Sequence, residues 1–394
     1  MLLGVTGGIA AYKVVQVARD LTLLGAAVDV VMTRSARAFV GEVSFEGVTG
    51  RPVLSEILEP GRALDHIRLA READVVCVAP ATADFLARAA HGRADNLLNA
   101  ILLATRAPVL VCPAMNDGMW SHPATVANTA RVRELGYAVV GPSEGPLAAG
   151  EGSGPGRMEE PATIVQHVGR ALQGATRYAG RRVVVTAGPT REAVDPVRFL
   201  SNRSTGRMGY ALAAAAWRRG AEVSVVAGPT TEAPPPGPRV FPVESAAGVK
   251  DAVARLVVDA DVLVMAAAVA DFRPASIADQ KIKKATAPEA ILLEPAPDVL
   301  AETAAARPSG CLVVGFALET EDGEANARRK LEAKGMDLVV LNEVGPGSGF
   351  ESETNRVTLI ERDGESESLP LLSKDEVAER ILDRLERRMP HRDE

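Results

Sequence analysis

The chain has 394 residues, 47% of them apolar and 24% charged, and a formal net charge of -7. Those figures describe a folded globular protein and exclude disorder or a fibre; at roughly 150 residues per domain the length calls for two or three domains, two being the starting expectation. The acidic balance gives no electrostatic reason to expect nucleic acid or an anionic membrane as a partner.

Short apolar runs alternate with helical stretches from the start: "MLLGV", then Ala10 to Leu24, then "AVDVVMT", "ADVVCVAP", "APVLVCPAM" and "YAVVG". Continuous hydrophobic strands separated by helices predict a parallel sheet covered on both faces, a doubly wound α/β domain. Met1 stands almost inside the first strand, so a native chain a few residues longer is expected. Cys77, Cys112 and Cys311 all lie in apolar strings that read as strands. Their odd number argues against a disulfide framework and for a reducing cytoplasm. No apolar run approaches the ~20 residues needed to span a bilayer, and no positively charged region precedes the first apolar stretch.

The polar stretch "GRALQGATRYAGRR" marks a boundary, after which the pattern restarts with "VVVTAGPTRE". Domains are expected at 1–175 and 181–394. "ADVVCVAPATADF" (73–85) aligns without gaps to "ADVLVMAAAVADF" (260–272), which predicts like architecture in the two halves and nothing about ancestry. The stretches 230–240 and 343–355 read as loops, and the charged C-terminal segment as a helix with a solvated face.

In the first half, Thr6, Gly7 and Gly8 stand between a strand and a helix, where free N–H groups and the helix dipole attract an anion. A dinucleotide site needs an acidic residue at the end of the second strand, but here that strand ends in Thr33, Arg34 and Ser35. Hydroxyls and a cation suit a phosphate, so FMN fits better than NAD. Thr82, Asn116 and Met119 follow other strand ends, where ligands of open α/β sheets bind. His66 reads as a helix-start histidine beside an N-capping Asp65.

Together "GVTGGIAAYK", "DHIRLA", "APATADFLARAAHGRADNLL", "PAMNDGMW" and "GPGRM" resemble the flavin-dependent cysteine decarboxylases, of the phosphopantothenoylcysteine decarboxylase kind, across nearly all of residues 1–175. The resemblance implies a flavodoxin-like fold, with FMN held by Thr6, Gly7, Gly8, Thr33, Pro80 and Thr82. It also implies that His66 is the active-site base and that Asn116 holds the substrate carboxylate. The glycine-rich segment from Gly145 to Met158 would be a flap over the substrate. Such flaps carry a cysteine that protonates an enethiol, and here Ala149 stands at that place in a segment one residue longer. Three outcomes stay open: Cys112 or water replaces the donor, the enethiol is released, or this domain is an FMN-binding regulatory module.

In the second half, Ser204, Thr205 and Gly206 offer donors at a helix start near Gly209, with Arg198, Arg203 and Arg207 around them. Asp271 and the lysines 281, 283 and 284 follow a later strand, and with a second anion loop in the same domain they read as a triphosphate clamp. No G-x-x-x-x-G-K-[ST] occurs, which disfavours a Walker-type ATPase. The motifs "TAGPTRE", "DPVRFLSNRSTGRMG", "AAAVADFRP", "KIKK", "PDVL", "GFALET" and "ARRKLEAKGMDLVVLNE" resemble the bacterial CTP-using phosphopantothenate-cysteine ligases from residue 181 to about 385.

That resemblance implies a second Rossmann-like domain in which Ala266, Ala267, Asp271, Lys281, Pro297, Asp298, Val299, Leu300, Phe316, Lys330 and Lys334 bind the nucleotide. Arg198 and Asn202 would handle an acyl-cytidylate, and Lys281 is also expected to be catalytic. Mg2+ would accompany CTP, with ligands the sequence does not identify. The implied substrates are 4'-phosphopantothenate, cysteine, CTP and 4'-phosphopantothenoylcysteine. The implied assembly is a cytoplasmic homo-oligomer of decarboxylase trimers and ligase dimers, giving a dodecamer.

Overall fold

The computed structural model describes residues 1–57, 62–174, 176–284, 289–319, 322–343 and 352–390. The chain divides into two compact units, Met1–Gly174 and Ala175–Glu394.

In the first unit, β1 (Leu2–Val5) leads through a glycine turn into α1 (Ala11–Leu23), followed by β2 (Asp29–Met32), α2 (Glu42–Thr49) and α3 (Asp65–Glu72). β3 (Val76–Ala81), α4 (Ala83–Ala90), α5 (Leu97–Ala104) and β4 (Val109–Pro113) come next, then α6 (Asp117–Ser121), α7 (Pro123–Glu134) and β5 (Ala138–Val139). The five strands form one parallel sheet in the order β2-β1-β3-β4-β5. Its strands are buried along almost their whole length because helices cover both faces, which is why they read as unbroken Val, Leu and Ala. One core layer packs α1 and the last helix of the unit, α8 (Pro161–Gln173), on the sheet, and the other packs α3, α4 and α5. Between β5 and α8 an antiparallel hairpin forms from β6 (Ser143–Pro146) and β7 (Ser153–Arg157).

The second unit repeats the plan on a larger sheet. It runs β8 (Arg182–Ala187), a small hairpin of β9 (Arg191–Ala193) and β10 (Phe199–Ser201), α9 (Arg207–Arg218), β11 (Glu222–Ala227) and β12 (Arg239–Pro242). Next are α10 (Ala246–Leu256), β13 (Val262–Met265), a hairpin of β14 (Phe272–Pro274) and β15 (Leu293–Pro295), and α11 (Val299–Glu302). β16 (Leu312–Glu319), α12 (Gly323–Ala333), β17 (Leu338–Glu343), β18 (Thr354–Asn355), β19 (Val357–Glu361), β20 (Ser366–Ser368), β21 (Leu372–Ser373) and α13 (Lys374–Arg388) complete it. The main sheet has the order β12-β11-β8-β13-β16-β17-β19-β20, parallel except that β19 runs antiparallel to both of its neighbours.

Its inner strands β11-β8-β13-β16-β17 follow the same winding as β2-β1-β3-β4-β5, so the architectural likeness expected from the two aligned strings holds. The strings part company after their strands. Thr82 caps α4 by accepting the Phe85 N–H at 3.2 Å, whereas the chain after Met265 stays extended into β14. The expected 343–355 loop lies mostly outside the described residues.

The C-terminal helix corrects its sequence reading. α13 buries Val377, Ala378, Ile381, Leu382 and Leu385, and three of its acidic residues pair with Arg219 at the end of α9 while keeping part of their surface in water. Arg219, with a side chain 7% exposed, pairs with Glu379, Asp383 and Glu386. Tyr178 donates its hydroxyl proton to Leu382 O at 2.8 Å beneath the same guanidinium.

Candidate active sites

In the first unit the predicted cofactor loop gathers where strands β1, β2 and β3 end. Thr6 is buried, and its hydroxyl donates to Pro80 O at 2.6 Å while accepting the Thr82 N–H at 3.2 Å. This hydroxyl therefore holds two strand ends together instead of reaching outward. A Cβ on Gly7 would stand 2.4 Å from Ser35 Cβ, so only glycine lets the β1 turn lie against the end of β2. Gly8 lies beside Pro80 and Thr82, at 3.8 Å from each for a notional Cβ. Thr33 turns its oxygen inward to the Ala36 N–H. What remains to bind an anion is backbone: the N–H groups of Gly7, Gly8 and Ile9 donate to no atom among the described residues, just ahead of α1.

Asp65 is the first residue of α3, and Leu64 is the cap position, with no side-chain cap. Asp65 instead pairs with Arg68, so the capping expectation is corrected. His66 is half-buried, and its Nδ1 atom is buried with no hydrogen-bond partner among the described residues. A buried imidazole nitrogen without a partner is costly unless something else binds it. Asn116 caps α6, accepting the Gly118 N–H through Oδ1 at 2.8 Å, which leaves its amide NH2 for another acceptor.

The segment Gly145–Met158 is the β6–β7 hairpin, with Ala149 exposed in its turn. Its second strand docks on the Asn116 loop, since Met115 N–H donates to Gly156 O at 2.9 Å. Cys112 does not belong to this site. It is fully buried in the core beside Cys77, and the contact with Cys77 together with burial pushes its thiol well above the usual range. At that depth the thiol has no solvent-exposed face among the described residues.

In the second unit a cavity of about 530 Å³ opens at the carboxyl ends of β13, β16 and β17. Ala266, Ala267, Asp271, Pro297, Asp298, Val299, Leu300, Phe316, Lys330, Lys334 and Asn202 all line it. Buried threonines shape its floor: Thr186 Oγ1 accepts the Ala267 N–H and Thr190 Oγ1 the Ala270 N–H, each at 3.0 Å. Asn202 donates to Ala268 O and Val269 O at 3.2 Å each, tying the anion loop to the same strand end. Asp298 caps α11 through the Ala301 N–H and pairs with Lys334 at 3.1 Å. Burial pushes its carboxyl up, but these partners together hold it below the usual range.

Arg198 and Lys281 fall outside this lining. Arg198 pairs with Asp195 at 3.3 Å and donates to Ile282 O, so it holds the neighbouring Lys281 segment, and both side chains are exposed. Sequence reasoning missed Asn342, Asn355 and Lys374, which reach the cavity from distant parts of the chain. Among the described residues no group of three or more His, Cys, Asp and Glu side chains could hold a metal. No helix there is long and apolar enough to cross a membrane.

A flavodoxin-like sheet with an open glycine turn, joined in one chain to a Rossmann-like unit with a cavity at its strand ends, is the architecture of a two-domain α/β enzyme. The sequence profile described as Flavoprotein matches residues 1–173, and that described as DNA/pantothenate metabolism flavoprotein C-terminal domain matches residues 178–389. The coenzyme A biosynthesis bifunctional protein CoaBC of Mycobacterium tuberculosis is 48% identical over 97% of this chain and 95% of its own. That of Bacillus subtilis is 42% identical over 97% and 95%. The crystal structure of the C-terminal domain of a CoaBC protein is 39% identical, covering 54% of this chain and 97% of its own at a TM-score of 0.46. The chain belongs to the family of bifunctional coenzyme A biosynthesis proteins, CoaBC.

Proposed function

We propose that the C-terminal unit joins 4'-phosphopantothenate to cysteine at the expense of CTP, and that the N-terminal unit decarboxylates the product, 4'-phosphopantothenoylcysteine, with bound FMN. The observation that carries the reading is the cavity of the second unit. It brings Asp271, the 297–300 turn, Phe316, Lys330 and Lys334 together around the open end of α9, within the ~300–1,000 Å³ usual for small-ligand sites. In the first step the carboxylate attacks the α-phosphorus of CTP, releasing pyrophosphate and leaving an acyl-cytidylate. The cysteine amine then displaces CMP. Lysines 330 and 334 offset phosphate charge, Asn202 fixes the loop that faces the acyl group, and Arg198 holds the Lys281 segment beside the cavity. The described residues do not fit a resident Mg2+ centre, so the metal is best assigned to arrive with the triphosphate.

The first unit fits FMN. The N–H groups of Gly7, Gly8 and Ile9, without an acceptor among the described residues, and the nearby Arg34 and Ser35 suit its phosphate, and Thr6, Pro80 and Thr82 build the wall beside it. When bound, the flavin takes up and returns the electron pair that lets a cysteine carboxylate leave as CO2. His66 Nδ1, buried and unsatisfied, is the atom that holds a proton, and the Asn116 NH2 orients the carboxylate. The β6–β7 hairpin excludes water.

Self-association has support in the second unit, where Val197, Phe199, Phe272, Leu292 and Leu293 on or beside two small hairpins are exposed. A ligase dimer through that arm, decarboxylase trimers and a cytoplasmic dodecamer complete the proposal.

Mass spectrometry of products from the purified chain, FMN and synthetic 4'-phosphopantothenoylcysteine under anaerobic conditions tests the decarboxylase half. The mass of 4'-phosphopantetheine is expected. A product two hydrogens lighter would mean that Ala149 stops the reaction at the enethiol, and no CO2 release would overturn the assignment.

A further inference from the structure

Lys374 is the first residue of α13, yet only 4% of it is exposed, and it lines the cavity of the second unit. Both properties are unusual for a lysine. A cation in the first turn of a helix opposes the helix dipole, and a buried ammonium loses its hydration. The rest of the helix start suits the dipole: Ser373 and Glu376 form a complete capping box, and Asp375 adds a further carboxylate. The lysine is therefore held by its surroundings and not by helix propensity.

Those surroundings are the open end of α9. Arg207 faces Lys374 from α9, Glu232 faces it from the loop after β11, and the Lys374 N–H donates to Glu353 O at 3.2 Å. Arg207 is itself engaged by Glu232 and by Glu353 at 3.5 Å. Met208, Asn342 and Asn355 line the cavity near this corner. The cavity thus has two cationic regions, one at Lys330 and Lys334 on or just beyond α12, and one at Lys374 and Arg207 where α13 meets α9. The proposed reaction brings in two phosphorylated molecules.

We propose that Lys374 contacts phosphoryl oxygens of a substrate bound at the N-terminal end of α9. The inference rests on the ligase reading above and names a residue which that reading does not use. The ligand chemistry is a phosphate ester or anhydride, from the nucleoside triphosphate or from the phosphorylated acid.

A substrate anion restores what burial takes from the ammonium. Burial first, and Arg207 second, lower the Lys374 pKa to about 8, so the free site gains its full positive charge only below that pH. A bound phosphate favours the charged form, which makes affinity fall as pH rises through about 8.

The test uses the full chain with Lys374→Met and Lys374→Arg, steady-state ligase kinetics with CTP and 4'-phosphopantothenate varied in turn, and calorimetric titration of CTP alone at pH 7 and pH 9. Lys374→Met is expected to raise KM about tenfold or more for one phosphorylated substrate, with kcat changed less than about threefold. Lys374→Arg is expected to recover most of the loss and to flatten the pH dependence of that substrate's KM. A rise confined to CTP, with weaker calorimetric binding, assigns the nucleotide as the source, and a rise confined to 4'-phosphopantothenate assigns the acid. Unchanged KM values for both in Lys374→Met, or an arginine variant as impaired as the methionine one, would overturn the proposal. An inactive wild-type chain that still binds CTP more weakly at pH 9, with the weakening abolished in Lys374→Arg, would sink the ligase reading and leave the phosphate contact standing.

Discussion

Met115 donates its N–H to Gly156 O at 2.9 Å, and a Cβ on Gly156 would stand 2.2 Å from Met115 O. The hairpin and the Asn116 loop are in backbone contact at this point, and Gly156 also has a φ of 142°, which side chains disfavour. Gly156→Ala must push the hairpin off the loop that carries Asn116. Decarboxylation is expected to fall by at least about tenfold while ligase kinetics in the same preparation stay within about twofold. Parallel assays of the two activities check this, and equal losses in both would refute it.

The core position of Cys112 makes a contrary prediction. Cys112→Ser is expected to leave the mass of the decarboxylation product unchanged, because a fully buried thiol beside Cys77 has no route to the substrate. Its effect should appear in stability, as a hydroxyl replaces sulfur among apolar neighbours, at a cost of roughly 1–3 kcal/mol. Accumulation of the enethiol in this variant would reinstate the thiol as proton donor.

Much of this was legible in the sequence for a physical reason. In doubly wound folds ligands gather beyond the carboxyl ends of the strands, so motifs that follow apolar runs, such as "AAAVAD" and "PDVL", are also the cavity walls. Three things were less legible. Thr6 was expected among the FMN-holding residues, and its hydroxyl is engaged between Pro80 and Thr82, a pairing the sequence does not show because hydrogen-bond partners across a sheet are long-range. Asp65 looked like a cap because its residue type suits one, but the helix begins on it. Lys374 was not singled out by any motif. The available signal was its place in the first turn, where the dipole disfavours a cation.

Arg219 gives a prediction about stability. Its guanidinium is almost fully buried against Glu379, Asp383 and Glu386, whose side chains are 31%, 48% and 26% exposed. Removing it leaves acids that water can partly reach, so the cost falls below the ~3–5 kcal/mol of a fully buried pair, at about 2–3 kcal/mol. For a unit of this size that is a drop of about 4–12 °C. Scanning calorimetry of Arg219→Ala should show it in the transition that ligase activity follows, with the flavin-bound transition unmoved.

Asp195 ties two segments of the ligase half together. Its carboxylate accepts the Val197 and Arg198 N–H groups at 2.8 Å and the Ile282 N–H at 3.2 Å. Burial raises its pKa, but these three donors and Arg198 outweigh burial and hold it below the usual range. A depressed carboxylate contributes stability that is present above its unfolded value near 4 and is lost as pH falls through the folded value. The Lys281 segment should therefore stay docked throughout the neutral range and loosen only in acid. Asp195→Asn replaces an acceptor oxygen with a donor facing either Ile282 N–H or the Val197–Arg198 turn, and so frees one of them at every pH. If Lys281 serves the nucleotide cavity, the variant should raise KM for CTP or lower kcat by about tenfold or more at pH 7.5, with decarboxylation intact. Ligase kinetics equal to wild type would show that the position of this segment does not matter to the reaction.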